Sequence, residues 1–180
     1  MAYALVIHGG AGARPGSDYT KQKQHMQQLI KTGQDMLVGG KSALDVVVWV
    51  VEALEESGLY VAGKGSAPHS LGGFELDASI MSGLNRSAGA VAAIEGIKSP
   101  IQAAKAVLDD GRHVMIAGTG ARLFAQAAGI TEIDNPMSII QIMYHTVQQN
   151  PSIMEPLVLL RLIFMVHWLR APRPVEHLTN

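Results

Sequence analysis

From Tyr3 to Ile7 the chain carries a short apolar run that stops at "HGGAG", a pattern that predicts a strand ending in a tight turn. Helix formers then run from Lys21 to Val38 and stop at Gly39 and Gly40, so a strand feeding a helix is expected. Ser42 with Asp45 three positions on resembles a capping box, with Asp in place of the longer Glu. The run "LDVVVWVVEAL" that follows is apolar on every side and ends at Gly58, which predicts a buried second helix. "GGFELDASIMSG" and "AGAVAAIEGI" predict two strands around a turn. Ser99-Pro100 supplies a cap and a first-turn proline for a helix over "IQAAKAVLDDG". "HVMIAG" predicts one more strand and "ARLFAQAAG" one more helix. Strands that are both paired and alternating with helices imply an α/β layered fold containing an antiparallel hairpin, rather than a purely parallel sheet.

Composition narrows the class. A chain of 180 residues, 48% hydrophobic and 16% charged, is long enough for one domain with its own core and too apolar to remain disordered. A net charge of -1 gives no basic footprint for nucleic acid and no polybasic surface for anionic lipid. The lack of cysteine excludes a disulfide, a thiolate zinc site and a cysteine nucleophile, and suits a reducing compartment. The start "MAYALVIHGGAG" has no basic region ahead of its short apolar run, so no signal peptide is expected and the expected location is cytoplasmic.

Candidate chemistry is sparser than the glycines suggest. Successive N–H groups in "HGGAG" could cradle an anion, yet glycines at a strand end serve mostly as a tight turn. "GKGS" at Gly63 to Ser66 resembles the end of a phosphate loop, but Leu59 stands where that motif needs glycine. "GTGA" from Gly118 to Ala121 lacks the dinucleotide spacing and reads as a strand-to-helix turn. The histidines, His8, His25, His69, His113, His145, His167 and His177, fall in no metal-ligand spacing. Glu55, Glu56, Glu75 and Asp77 are expected to be surface or turn-stabilising carboxylates rather than acid/base partners.

Read in order, "HGGAG", "GKSALDVVVWVVEALEESGLYVAGKGS", "ELDASIMSG", "SAGAVAAIEGIKSPIQAAKAVL" and "HVMIAGTGARLFA" resemble the N-terminal part of the plant-type L-asparaginases, or isoaspartyl peptidases. The resemblance covers roughly Ala4 to Asp134. It implies an N-terminal nucleophile hydrolase with an αββα sandwich, of which this chain holds the N-terminal half. It also implies a precursor that cuts itself into α and β subunits. The new N-terminal threonine, inside "GTVGAVALD", would attack a side-chain amide or β-aspartyl bond of a small-molecule substrate, with its own α-amine as base. None of Thr20, Thr32, Thr119, Thr131, Thr146 or Thr179 precedes Val-Gly-Ala, so no catalytic residue can be carried over.

The closing stretch, "MEPLVLLRLIFMVHWLRAPRPVEHLTN", suggests why. Shifted by one register, Met154-Glu155 and Met165-Val166 must each encode Gly, and His167-Trp168 must encode Leu. With suitable synonymous codons the rest gives "GTVGAVALDIHGSLAAGTSTGG", the expected start of a β subunit. Residues 1–137 are therefore read as an α-subunit-like region and 138–180 as a divergent, frameshifted tail, with the shift near Pro136 to Ile140. The tail's apolar run is too short for a membrane span and contains Arg161.

The resemblance also implies a structural sodium ion, held mainly by backbone carbonyls at Leu54, Glu55, Ser57, Tyr60, Ala62 and Lys64, and no cofactor for catalysis. Two departures stand out. Val61 replaces an asparagine that would lie beside the nucleophile, and Met81-Ser82-Gly83 replaces "MDG" and so loses a carboxylate. Three functional readings follow: a hydrolase of this family, an inactive α-subunit-like fragment pairing with a separate β subunit, and a membrane-associated protein using its tail.

Overall fold

The computed structural model describes residues 3–11, 15–69 and 71–133. The divergent tail, with its apolar run and His145, His167 and His177, lies outside them. Helix α1 (Thr20–Val38) ends at Gly39, and α2 (Ala43–Ser57) ends at a left-handed Gly58. A single 3₁₀ turn follows over Gly63–Gly65. Strands β1 (Leu76–Met81) and β2 (Ala88–Ile94) form the expected hairpin, α3 spans Pro100–Asp110, β3 spans Met115–Ala117, and α4 spans Gly118–Ala127. The sheet order is β1-β2-β3, antiparallel in the hairpin and parallel between β2 and β3. This is an α/β arrangement around a small mixed sheet.

Helix α2 is the divider of the core. Its valines point both ways, as a helix apolar on all sides requires. Val48 and Val51 join the cluster of Leu76, Ile80, Val91, Ile94, Ile101 and Val107 between sheet and helices. Val46, Val50 and Leu54 join a second cluster with Leu29 and Tyr60. The Ser42 hydroxyl caps this helix by accepting Asp45 N–H at 3.1 Å, and Asp45 accepts that hydroxyl's proton at 2.7 Å. The shorter acid thus returns to the cap's side chain rather than to its backbone.

Two expectations need correction. Tyr3 to Ile7 forms no strand: among the described residues no strand pairs with it, and Leu5 and Ile7 instead pack on the second cluster, with Leu29 of α1, the α2 valines and Tyr60. Ser99 occupies the cap position of α3 without capping it, because its hydroxyl is turned to Glu55. One pairing was not foreseen: residues after α4 return antiparallel to the segment after β2, with Lys98 N–H on Thr131 O and Ile133 N–H on Gly96 O.

The hairpin contains a bulge. The register slips between Leu76 and Ala78, Ala93 takes a positive φ of 49°, and Asp77 Oδ1 accepts Ala93 N–H at 2.8 Å. A carboxylate pinning an irregular backbone amide is the turn-stabilising role expected of Asp77. At the hairpin tip Ser82 is buried, and its hydroxyl accepts Leu84 N–H at 3.3 Å. That is a local bond of the kind a carboxylate at this position would also make.

Candidate functional site

The last turn of α2 and the loop after it collect the residues expected to hold a cation. Leu54, Glu55 and Tyr60 are buried, Ser57 and Ala62 half-buried, and Lys64 exposed. The loop folds back on the helix end so tightly that only glycine fits at two points. A side-chain carbon built at Gly65 would collide with the Tyr60 carbonyl oxygen and lie 3.1 Å from that of Gly58. One built at Gly63 would lie 2.7 Å from the carbonyl oxygen of Glu55. Carbonyls of the helix end and of the loop therefore share a small space.

Three observations bear on whether this donor set suits a hard cation. Helices α1, α3 and α4 close with a backbone N–H from the cap residue, whereas Gly58 makes no such bond to α2. Leu54 O accepts the Ser57 hydroxyl instead, and the terminal carbonyls after it need another partner. The Ser66 hydroxyl oxygen is buried and has no hydrogen-bond partner among the described residues. The donors are oxygens, the atoms an alkali or alkaline-earth ion prefers. The residues present fit a sodium-type ion.

Side chains fix the loop's two flanks. Ser57 Oγ donates to Leu54 O at 2.8 Å and accepts Leu59 N–H at 3.1 Å. Tyr60 OH donates to Gln22 O at 3.1 Å and lies 3.3 Å from His25 Nδ1, which ties the loop to α1. The "HGG" turn packs on the same ring, since a side-chain carbon at Gly9 would lie 2.9 Å from Tyr60 Cε1. His8 Nδ1 accepts Gly10 N–H at 3.2 Å, so this turn closes on itself.

Glu55 is the residue sequence reasoning placed wrongly. It is 3% exposed, a buried carboxyl rather than a surface one. Its Oε2 accepts the Ser99 hydroxyl at 3.0 Å and its Oε1 accepts Ile101 N–H at 3.1 Å, so a side chain on α2 caps α3. Burial pushes its pKa up to about 8, against the lowering effect of those two hydrogen bonds. Neighbours on α2 reach the same stretch: Gln102 of α3 donates to Glu52 at 2.9 Å, and Lys98, just ahead of α3, pairs with Glu56 at the surface. The signal available in the sequence was the 3.6-residue period, which puts Glu55 on one stripe with Val48 and Val51.

"GKGS" forms the 3₁₀ turn with no helix after it, whereas "GTGA", expected as a connecting turn, is the first turn of α4, which begins directly after β3. Val61 sits half-buried in the loop between Tyr60 and Ala62, and Thr119 lies in the first turn of α4. Among the described residues no helix is long and apolar enough to cross a membrane.

Comparison with known proteins places these elements in context. A family model described as asparaginase matches residues 1–155. A plant-type L-asparaginase of Pyrobaculum calidifontis is 45% identical over 130 residues, 71% of this chain and 43% of that protein. An isoaspartyl peptidase of Escherichia coli is 40% identical over 134 residues, 72% of this chain and 42% of that protein. An isoaspartyl peptidase/L-asparaginase of Xenopus laevis is 38% identical over 135 residues, 75% and 44% respectively. The chain spans about two fifths of the length of these relatives.

Proposed function

The chain belongs to the asparaginase family, and from that premise we propose that it is the N-terminal portion of a hydrolase acting on the side-chain amide of asparagine or on β-aspartyl peptide bonds. The observation that carries this reading is the family match over residues 1–155, which embraces every described element. Relatives named as L-asparaginases and isoaspartyl peptidases supply the two substrate classes. The complete enzyme is an αββα sandwich in which strands from a β subunit complete this small sheet. Its nucleophile is the threonine that opens that subunit. The hydroxyl adds to the amide carbonyl as the threonine's own amine takes the proton, ammonia or an amino acid leaves, and water releases the acyl group.

By itself this chain is the non-catalytic portion, because no threonine in it stands before Val-Gly-Ala. Its contribution is a scaffold: the carbonyls of Leu54, Glu55, Ser57, Tyr60, Ala62 and Lys64 hold a sodium ion, which supplies the positive charge those converging dipoles need. Tyr60 and the buried Glu55 set the loop against α1 and α3. The test uses two proteins, the chain as it stands and the chain continued after residue 137 in the shifted reading frame. The first releases no ammonia from asparagine, cleaves no β-aspartyl dipeptide and does not cut itself. The second matures into two chains and gains activity. A soluble, continued precursor that neither cleaves nor hydrolyses either substrate overturns the reading.

A further inference from the structure

Away from the loop after α2, the open end of the hairpin ladder gathers His69, Glu75 and Glu95, whose candidate ligand atoms lie within 4.8 Å of one another. We propose that these three side chains form a binding site for a divalent transition-metal ion of the zinc type. The register pairs Leu76 with Ile94, so Glu75 and Glu95 stand at the next facing positions beyond the ladder. A dication held between two facing carboxylates would tie the ends of the two strands together.

The imidazole is delivered by a built turn. His69 N–H donates to Gly73 O at 2.9 Å, and Gly72 N–H donates to His69 O at 2.8 Å. The ring lies directly over Gly73, where any side-chain carbon would collide with Nε2. His69 is half-buried and both carboxylates are exposed, so the ion has open access from solvent. One imidazole nitrogen with two carboxylate oxygens gives three protein ligands and leaves a position for water, a donor set zinc accepts and magnesium, which favours oxygen alone, does not.

Binding has a local signature. Leu71 N–H donates to His69 Nδ1 at 3.1 Å, which makes Nδ1 the acceptor and leaves the ring proton on Nε2. An ion taking either ring nitrogen removes that acceptor: at Nδ1 it displaces the amide directly, and at Nε2 it moves the ring proton to Nδ1. The Leu71 amide therefore reports occupancy of the site.

Zinc alone is the probe, offered to the full chain in competition with a chromophoric chelator, with magnesium as control. Zinc binds and magnesium does not; His69→Ala and Glu95→Gln each weaken zinc binding by roughly tenfold or more. Glu95 is exposed, so its variant keeps the wild-type circular dichroism. Zinc also shifts the Leu71 amide resonance in the wild type, and in Glu95→Gln the same shift requires correspondingly more zinc. Zinc affinity equal in all three proteins would assign the ion to other histidines and overturn the site, as would a bound ion that leaves the Leu71 amide unchanged.

Discussion

Glu55 on α2 and Ser99 at the start of α3, 44 positions apart in the chain, are joined by a buried 3.0 Å hydrogen bond. The same carboxyl accepts Ile101 N–H and belongs to the residue whose carbonyl faces the loop at Gly63. One residue thus couples the loop after α2 to the helix that covers the hairpin.

That carboxyl should govern the pH dependence of stability. Its folded pKa of about 8 lies above its ordinary 4.5, so between those values the folded chain holds a proton that the unfolded chain has released. Stability contributed by the neutral form is complete below about pH 4.5, falls as pH rises, and is lost above about pH 8. The span corresponds to a few kcal/mol, on the order of 1.4 kcal/mol per pH unit. Glu55→Gln keeps an acceptor for Ile101 and a donor for Ser99 Oγ, and flattens this slope. Urea unfolding across that pH range checks both.

Glu55→Ala should flatten the same slope but, unlike the glutamine variant, lose stability. It leaves the Ile101 amide and the Ser99 hydroxyl without their partner and opens a cavity beside Val51 and Ile101. A loss of about 2–4 kcal/mol is expected at neutral pH. Chemical denaturation of the two variants side by side separates shape from charge.

Removing one oxygen from Tyr60 tests how the loop is tied to α1. Tyr60→Phe loses the bond to Gln22 O and the contact with His25 while keeping the ring packed beside Gly9. The expected cost is about 1 kcal/mol, read from the shift in denaturant midpoint.

Gly65→Ala drives a methyl group into the Tyr60 carbonyl, so the loop must open. Overpacking of this kind costs about 1–3 kcal/mol. The wild type should melt at a higher temperature in sodium chloride than in choline chloride of equal ionic strength. The variant should lose that difference. A wild type indifferent to the cation would remove the sodium ion from this loop.

The exposed apolar side chains predict association. Met81 on β1, Met115 on β3 and Leu84 at the hairpin tip are 56%, 61% and 96% exposed, and Val114 and Leu123 lie open near β3 and α4. Strand edges and apolar faces left open favour contact between copies. Size-exclusion chromatography should show assemblies larger than one chain, with binding of a hydrophobic dye. A monodisperse monomer that ignores the dye contradicts this.

The order of elements was legible in the sequence because each rests on local signals. Gly39 and Gly58 stop helices, Ser42 and Asp45 start one, and alternating strands flank the hairpin turn. The family resemblance was legible for the same reason, since it follows ordered blocks of residues. Tertiary structure alone decided the rest. Tyr3 to Ile7 has the composition of a strand, but a strand exists only where a neighbour offers backbone partners, and the described residues offer none. Glu55 looks like one of several acids on a helix, yet the packing of α3 over α2 removes it from water and turns it into that helix's cap. His69, Glu75 and Glu95 have no ligand spacing along the chain, because a turn and a cross-strand register bring them together. Local chemistry fixes where elements begin and end, while burial and long-range proximity, which set charge state and site formation, arise only when distant segments pack.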